Sequence, residues 1–440
     1  MTPIGPEVER RMREDWNRRA REDANYYVAF GRREQGEEEF FASAADVIRG
    51  LARELNRLPE GARSALEIGC GPGRLMRLLA PRCGEIHGVD VSDEMIRLAR
   101  ERLAGVSSAH VRRTAGASLE GFAADSFDFV YSYAVFQHIP SREVVLSYLR
   151  EARRVLKPGG ILRCQINGLP ETAARYDTWS GVRIGAAEVA AFARDNDFQL
   201  LALEGAATQY MWTTWRKRPA GWTAGLAGHR PQGGVRIRRI TNAHSSEPVA
   251  PSRGRFASIA LWVEGLPEDC DLNHLEVLIG GRKGFGSYLG PAESDGLQQF
   301  NVALPEGLAS GLQPLELAWL GAPLCAPRAL RVTPPPPAVP RVVAVSDGID
   351  LLSGTRIVSG IVKVTLEEAA RPEEFGATVA GMPVRVIDIF CTDPLPPRHE
   401  INFRLPEGLP AGGHEIEMRL GRRRFAPCAI EAAPMAQRVL

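Results

Sequence analysis

The stretch ALEIGCGPGRLMRLLA, residues 65–80, decides the fold of the N-terminal half of this chain. An apolar run ends at Ile68, glycines follow at alternate positions, and an amphipathic stretch begins at Arg74. Glycines let the backbone turn sharply and approach a ligand closely. The dinucleotide motif G-x-G-x-x-G requires glycine where Arg74 stands, so a pyrophosphate-binding loop is disfavoured. The stretch therefore predicts a strand, a glycine-rich turn and a helix.

Short apolar runs continue to alternate with amphipathic stretches on both sides of this motif. A chain that alternates in this way favours a mostly parallel sheet with helices on both faces. The last two apolar runs lie close enough in sequence to pair as an antiparallel hairpin. We predict strands at residues 65–68, 86–91, 127–133, 161–166, 199–204 and 209–216, and helices at 74–79, 93–103, 142–156 and 186–196.

The length and composition of the chain exclude several classes of protein. One core rarely grows beyond roughly 250–300 residues, so the 440 residues predict at least two domains. The net charge of +1 offers no basic surface for nucleic acid or for an anionic membrane. The seven cysteines form no CxxC pair, so we expect neither a disulfide framework nor a metal site. Because the N-terminus is charged and no long apolar run is present, we expect a bacterial cytoplasmic protein.

The C-terminal half is organised differently and contains an internal repeat. It holds 23 of the 32 prolines, and helical patterning stops after a glycine-rich linker predicted at residues 220–234. The segment FNVALPEGLASG at residues 300–311 recurs as INFRLPEGLPAG at 401–412. A period of about 100 residues built from short strands is typical of immunoglobulin-like sandwiches, predicted here at residues 235–333 and 338–433. Both repeats resemble the TIG/IPT-type modules of bacterial proteins, which implies a homo-oligomer interface or a protein partner.

Three further segments accompany the glycine-rich turn in a fixed order. Asp90 ends the second apolar run, where a carboxylate can accept both hydroxyls of a ribose. SFDFVYSYAVFQHIP at residues 126–140 predicts a strand and a turn, and EARRVLKPGGILRC at 151–164 predicts a helix, a turn and a strand. Together the four segments resemble class I S-adenosylmethionine-dependent methyltransferases of the small-molecule type over about residues 45–219. The resemblance implies a Rossmann-like α/β fold with a seven-stranded, mostly parallel sheet, an antiparallel C-terminal hairpin and a helical lid at residues 1–44.

The resemblance also implies S-adenosyl-L-methionine as the cofactor and places its binding residues. The methionine part would meet Glu67 and the glycine-rich turn, Asp90 would bind the ribose hydroxyls, and Val91 would lie against the adenine. In this family an acidic residue after the third strand usually reads the adenine amino group, but Gly116 stands at that place. The backbone of Gly116 and Ala117 would then supply the contact, or the contact would be lost. The implied cofactor-binding residues are Glu67, Gly69, Cys70, Gly71, Gly73, Asp90, Val91, Gly116, Ala117, Ser132 and Gln137.

Few obligatory catalytic residues are expected, because a methyl group on a sulfonium needs placement and exclusion of water more than activation. His138 could act as a base near the methyl group, or it could close the pocket as a structural residue. Tyr27 could meet the sulfonium through cation–π attraction, or it could pack within a lid helix. Gln165 and Asn167 could contact the acceptor, whereas Cys70 is expected to be a small loop residue rather than a nucleophile.

We predict an enzyme that transfers a methyl group from S-adenosylmethionine to O, N or C of a small-molecule or glycan-linked acceptor. The alternative is a catalytically silent cofactor-binding domain in a binding or scaffolding protein that acts through its repeats. Gly116 in place of an acidic residue supports the alternative, and the intact glycine-rich turn with Asp90 supports the enzyme. We expect a chain ending at Pro219 still to bind the cofactor, and its failure to fold would show that the repeats are part of the catalytic unit.

Overall fold

The computed structural model describes residues 6–29, 33–61, 63–171, 176–229, 234–254, 256–335, 338–350, 353–393 and 397–434. The chain divides into two compact units. Met1–Ala24 and Glu37–Pro335 form the first unit, and Asn25–Gly36 with Pro336–Leu440 form the second. The division falls near the end of helix α1 (Pro6–Ala29), where Asp23 leaves the helical conformation with a φ of −168° and a ψ of 90°.

The first part of the first unit is an α/β sheet. Its helices after α1 are α2 (Glu37–Ala42), α3 (Ala45–Leu55), α4 (Arg74–Leu79), α5 (Asp93–Arg102), α6 (Arg142–Val155) and α7 (Ala186–Asp195). Its strands are β1 (Ser64–Ile68), β2 (Glu85–Asp90), β3 (Ala109–Arg113), β4 (Phe127–Ser132), β5 (Leu156–Ile166), β6 (Phe198–Glu204) and β7 (Met211–Lys217). They stand in the order β3-β2-β1-β4-β5-β7-β6. The first five pair in parallel, and β7 is antiparallel to both β5 and β6.

The side chains of the central strands fill two cores on opposite faces of this sheet. Ala65 of β1 and Tyr131 of β4 pack with α3, α4 and α5, while Leu66 and Val130 pack with α6 and α7. The alternation follows from the two-residue period of a strand. Because both faces are covered, these strands appear in the sequence as continuous apolar runs. β3 is absent from the strands predicted above, because its sequence AHVRR is mostly polar.

The second part of the first unit extends the same sheet. Its elements are α8 (Trp222–Gly225), β8 (Arg236–Asn242), β9 (Val249–Pro251), β10 (Ser258–Glu264), β11 (Leu275–Ile279), β12 (Arg282–Lys283), β13 (Phe285–Ala292), β14 (Leu297–Ala303), β15 (Gly311–Trp319), β16 (Ala322–Pro323) and β17 (Arg328–Thr333). Tyr288 of β13 pairs with Ala202 of β6, and β14, β10 and β8 follow outward. The sheet therefore has eleven strands, where the resemblance implied seven. The remaining strands form a second sheet in the order β12-β11-β15-β17-β9, with β16 paired to β15.

The second unit repeats this strand-rich arrangement. Its strands are β18 (Arg341–Asp347), β19 (Arg356–Ile357), β20 (Ile361–Glu367), β21 (Phe375–Val379), β22 (Met382–Pro383), β23 (Arg385–Asp393), β24 (Arg398–Arg404), β25 (Gly412–Leu420), β26 (Arg423–Arg424) and β27 (Cys428–Ala432). One sheet has the order β18-β20-β24-β23, and the other has the order β19-β27-β25-β21-β22 with β26 on β25. Val364 of the first sheet and Ile416 of the second lie in one core. The immunoglobulin-like assignment of both repeats stays a prediction. Within the described ranges, no helix has the length and apolarity needed to cross a membrane.

Candidate functional site

The glycine-rich turn joins β1 to α4 at the carboxyl edge of the parallel strands. The amides of Gly69 and Cys70 donate to the carbonyl oxygen of Val89 at 2.7 and 2.9 Å, which ties the turn to β2. Gly69 has a φ of +73°, and a Cβ atom there would lie 2.3 Å from Val135 Cγ2. Gly73, with a φ of +82°, precedes α4. Both the backbone conformation and the lack of space therefore require glycine at position 69.

Asp90 lies at the end of β2 and faces this turn. Its Oδ2 accepts a hydrogen bond from the Gly71 amide at 2.9 Å, and its Oδ1 accepts one from the Ser92 amide at 2.9 Å. Burial raises the pKa of Asp90 to about 6, although the amides of Ser92 and Gly71 oppose the shift. A carboxylate has about four acceptor positions. Asp90 is thus held by backbone groups and keeps acceptor capacity for a ligand.

A buried group of polar side chains lies behind the turn, on the face that α4 covers. The Tyr131 hydroxyl donates to Glu67 Oε2 at 2.9 Å. Burial raises the pKa of Glu67 to about 8, while the Tyr131 hydrogen bond and the charge of Arg74 lower it. Arg74 Nη1 donates to Ser43 Oγ at 2.8 Å, but its buried Nε has no partner among the described residues. A buried donor of this kind suits an acceptor group on a ligand.

The N-terminal helix meets the sheet beside Asp90. Gly116 is buried with a φ of +120°, and a Cβ atom there would lie 3.2 Å from Met12 Cε and 3.3 Å from Val91 Cγ1. The same atom would lie 3.6 Å from Glu9 Cγ. Burial raises the pKa of Glu9, and a neighbouring carboxylate raises it further. Glu9 therefore brings an acidic side chain to the place where the sequence after β3 lacks one.

Three further residues of α1 fasten this helix across the edge of the sheet. Asn17 Oδ1 accepts from the Ser92 hydroxyl at 2.8 Å and from the Glu94 amide at 3.1 Å. Arg19 Nη1 donates to the Thr178 carbonyl oxygen at 2.8 Å, and the Arg19 guanidinium lies 4.8 Å from the Trp16 ring centroid. Sequence reasoning missed these contacts. The helical spacing of residues 9, 12, 16 and 19 along one face is a signal for Trp16 and Arg19, whereas Asn17 lies off that face.

Ser132 ends β4, and Gln137 and His138 lie in the turn after it. Ser132 is fully buried, and its hydroxyl donates to the Ile68 carbonyl oxygen at 2.9 Å, which links β4 to β1. His138 Nδ1 lies 2.8 Å from the Trp179 carbonyl oxygen, and because a carbonyl only accepts, Nδ1 carries the proton. His138 Nε2 is then an acceptor and lies 3.3 Å from Gln137 Nε2. Burial lowers the pKa of His138 to about 4, so the ring is neutral at pH 7.

Two buried amide oxygens at this edge have no hydrogen-bond partner in the described part of the chain. They are Gln137 Oε1 after β4 and Gln165 Oε1 on β5. Asn167, two residues further, uses its Oδ1 to accept from the Leu169 amide at 3.3 Å. Buried acceptors without partners are rare in folded proteins, and they indicate groups that a ligand or water satisfies. Across the described ranges, no group of three or more His, Cys, Asp or Glu is arranged to hold a metal ion.

The remaining predicted residues have other surroundings. Cys70 is buried, and burial raises the pKa of its thiol well above its ordinary value, which opposes a role as nucleophile. Ala117 is buried next to Gly116. Tyr27 belongs to the second unit, where its ring centroid lies 5.1 Å from that of Tyr26. The role of Tyr27 beside a cofactor stays a prediction.

Comparison with known proteins points to the same part of the chain. Residues 66–164 match a family model described as a methyltransferase domain. The chain is 33% identical over 125 residues to phosphoethanolamine N-methyltransferase 2 of Caenorhabditis elegans, which covers 28% of this chain and 28% of that protein. It is 32% identical over 127 residues to demethylmenaquinone methyltransferase of Bacillus velezensis, covering 28% and 53%, respectively. It is 33% identical over 146 residues to trans-aconitate 2-methyltransferase of Rhodopseudomonas palustris, covering 33% and 49%.

The matched residues include the parts of the site with the most specific geometry. The chain spans about half or less of the length of these three relatives. Within the matched residues lie the glycine-rich turn, Asp90 with its two backbone donors, and the turn that carries His138. Residues 66–164 of this chain therefore match a methyltransferase domain, and the relatives that cover the same part of the chain are methyltransferases.

Proposed function

We propose that this chain transfers a methyl group from S-adenosylmethionine to O, N or C of a small-molecule or glycan-linked acceptor. The observation that carries the proposal is the position of Asp90, held between the amides of Gly71 and Ser92 at the carboxyl edge of the sheet. These amides fix a carboxylate with spare acceptor positions beside a turn that leaves no room for side chains at Gly69. A ribose with two neighbouring hydroxyls suits such a carboxylate.

The polar groups at this edge fit the cofactor. The unpaired Arg74 Nε would meet a carboxylate on the methionine part, and the unpaired Gln137 Oε1 would meet its ammonium group. Val91 and Met12 offer apolar surfaces to the adenine, and Glu9 offers an acceptor to its amino group. The other residues of the proposed cofactor site are Glu67, Gly69, Cys70, Gly71, Gly73, Asp90, Gly116, Ala117 and Ser132.

When bound, the cofactor supplies an electrophilic methyl group on a sulfonium sulfur. The residues of the chain then exclude water and orient the acceptor. Trp16 of α1 lies edge-on to His138 with ring centroids 5.5 Å apart, so α1 covers the turn after β4. His138 Nε2 is unprotonated but accepts from Gln137 Nε2 at 3.3 Å, and burial lowers the pKa of the ring to about 4, so His138 would act as a base only where the acceptor displaces the Gln137 amide. The alternative role of His138 is structural, through its bonds to Trp179 and Gln137.

The acceptor is not fixed by the relatives, whose names point to phosphoethanolamine, demethylmenaquinone and trans-aconitate. We propose that Tyr133 and Trp212 form one wall of the acceptor site. Their rings stack with centroids 5.6 Å apart and an interplanar angle of 12°. Gln165, which is paired with Trp212 across β5 and β7, adds its unpartnered oxygen to this wall. Such a wall suits an acceptor with a flat apolar part and a hydrogen-bond donor.

Titration calorimetry with S-adenosylhomocysteine tests the cofactor site. We expect wild type to release heat on binding and Asp90→Ala to bind at least about tenfold more weakly. The matched control is Asp195→Ala, because Asp195 is an exposed aspartate on α7. Equal affinity of wild type and Asp90→Ala would contradict the site. A screen for transfer of a labelled methyl group to small molecules from a cell extract then tests the reaction.

The second candidate function is a silent cofactor-binding domain in a scaffolding protein. Its support is the eleven-stranded sheet, which joins the methyltransferase domain to the first repeat. Binding of S-adenosylhomocysteine without any labelled product in the extract screen would favour this candidate. The cytoplasmic location and the absence of a nucleic-acid partner stay predictions under either function.

A further inference from the structure

The two repeats share one strand order, which allows their edges to be compared. In the first repeat, neighbouring strands of one sheet are hydrogen-bonded in the spatial order β13-β14-β10-β8. In the second repeat, the corresponding spatial order is β23-β24-β20-β18. The strand pairs also share an irregularity: the register shifts between Gly286 and Tyr288 in β13 and between Val386 and Asp388 in β23. Position 288 of the first repeat therefore corresponds to position 388 of the second.

The two corresponding edges differ in what lies beside them. In the first repeat, β13 continues into the methyltransferase sheet, because Tyr288 pairs with Ala202 of β6. In the second repeat, β23 ends its sheet, and no strand within the described ranges pairs with its outer side. An edge strand with free amide and carbonyl groups is a template for pairing with another strand. The shared bulge does not prevent such pairing, because β13 carries the same bulge and is paired.

The side chains of β23 divide between the core and the surface. Val386 and Ile389 pack against the core of the second unit. Arg385 and Asp388 are exposed, and Ile387 between them is 49% exposed. Isolated edge strands normally avoid exposed large apolar residues. Ile387 on an open edge, with opposite charges on both sides, therefore indicates a surface that another strand covers.

We propose that β23 pairs antiparallel with β23 of a second copy of this chain and forms a two-fold dimer. An antiparallel pair can set Arg385 of one copy near Asp388 of the other, twice across the two-fold axis, whereas a parallel pair would set like charges together. Strand β6, with which β13 of the first repeat pairs, lies in the same chain and is therefore already occupied. The dimer therefore requires no rearrangement of the first unit. This inference goes beyond methyl transfer and does not depend on it.

Sedimentation velocity on the full chain tests the dimer. Wild type is expected to be a dimer, and Arg385→Asp or Asp388→Arg alone should weaken association at least about tenfold, because each places like charges together. The double variant Arg385→Asp with Asp388→Arg should restore the dimer. The matched control is Val343→Lys, because Val343 is equally exposed, at 49%, on β18 at the opposite edge of the same sheet, but its neighbours Val342 and Ala344 carry no charges to select a partner strand.

Several results would overturn the proposal. Wild type that stays monomeric at every concentration would do so. A single variant that remains as dimeric as wild type, with an unchanged circular dichroism melting curve, would exclude this strand as the interface. Failure of the double charge swap to restore a dimer lost in both single variants would also reject the antiparallel alignment.

Discussion

Tyr288 and Ala202 are paired residues of one continuous sheet, although Tyr288 belongs to the first repeat and Ala202 to β6, the outermost strand of the methyltransferase part. Arg53 and Arg57 of the preceding helical region lie 4.5 and 5.4 Å from the Tyr288 ring centroid. Arg57 also donates to the Leu289 carbonyl oxygen at 2.8 Å. Strand pairing, cation–π contacts and a side-chain hydrogen bond thus join the two parts of the first unit.

This junction changes the expectation for a chain ending at Pro219. Such a chain would expose the edge of β6 and would leave Gln199 Nε2 without the carbonyl oxygens of Glu268 and Cys270, which accept from it at 2.7 and 2.8 Å. We expect it to aggregate, because an unpaired apolar edge strand is an aggregation site. A chain ending at Pro335 keeps the whole first unit and should stay in solution. Size-exclusion chromatography compares the two.

If the chain ending at Pro219 elutes as a monomer and binds S-adenosylhomocysteine like the full chain, the first repeat is not needed for the fold of the methyltransferase domain. The expectation from the sequence alone would then stand.

The local elements could be predicted from the sequence, but the junction could not. The spacing of apolar residues places α4 at the observed Arg74–Leu79, because both the glycine turn and the helix period are local signals. The pairing of Tyr288 with Ala202 joins residues far apart in sequence, and no local pattern carries it. For the same reason, the position of Glu9 beside Gly116 could not be predicted, because it depends on how α1 crosses the sheet.

Gly69→Ala should destabilise the first unit and abolish cofactor binding. A side chain at a φ of +73° is strained, and its Cβ would overlap Val135, so we expect a loss of roughly 2–3 kcal/mol. All seven tryptophans lie in the first unit, so thermal melting followed by tryptophan fluorescence reports on that unit alone. The matched control is Gly50→Ala in α3, where no atom lies within 4 Å of the new Cβ. That control should be neutral or stabilising by up to about 1 kcal/mol.

Glu67→Gln should remove a pH dependence of stability. Burial raises the pKa of Glu67 from 4.5 to about 8 in the folded state, so the folded protein binds a proton that the unfolded chain has lost. Stability from this group is therefore highest below pH 4.5 and decreases as the pH rises to about 8. The glutamine amide in this variant can still accept from the Tyr131 hydroxyl but does not ionise. We expect the variant to be more stable than wild type by a few kcal/mol at pH 8, roughly the size of the pKa shift in energy.

Fluorescence melting at several pH values between 5 and 9 measures this difference. The control is Glu60→Gln at an exposed position, which should follow wild type throughout. A pH profile of Glu67→Gln parallel to that of wild type would show that Glu67 ionises normally in the folded protein.

Glu9→Gln should weaken the recognition of the adenine amino group of the cofactor. Glu9 lies beside Gly116, where the resemblance described above would place an acidic residue that accepts from the adenine amino group. We expect wild type to prefer S-adenosylhomocysteine over S-inosylhomocysteine, which lacks that amino group, by at least about tenfold, the effect of one hydrogen bond to a charged group. Glu9→Gln should lose most of this preference. Glu7→Gln, at an exposed position two residues earlier in the same helix, should keep it. Calorimetry measures the affinities of both variants and of wild type for the two ligands. If Glu9→Gln prefers S-adenosylhomocysteine as strongly as wild type does, the backbone at Gly116, and not Glu9, recognises the adenine amino group.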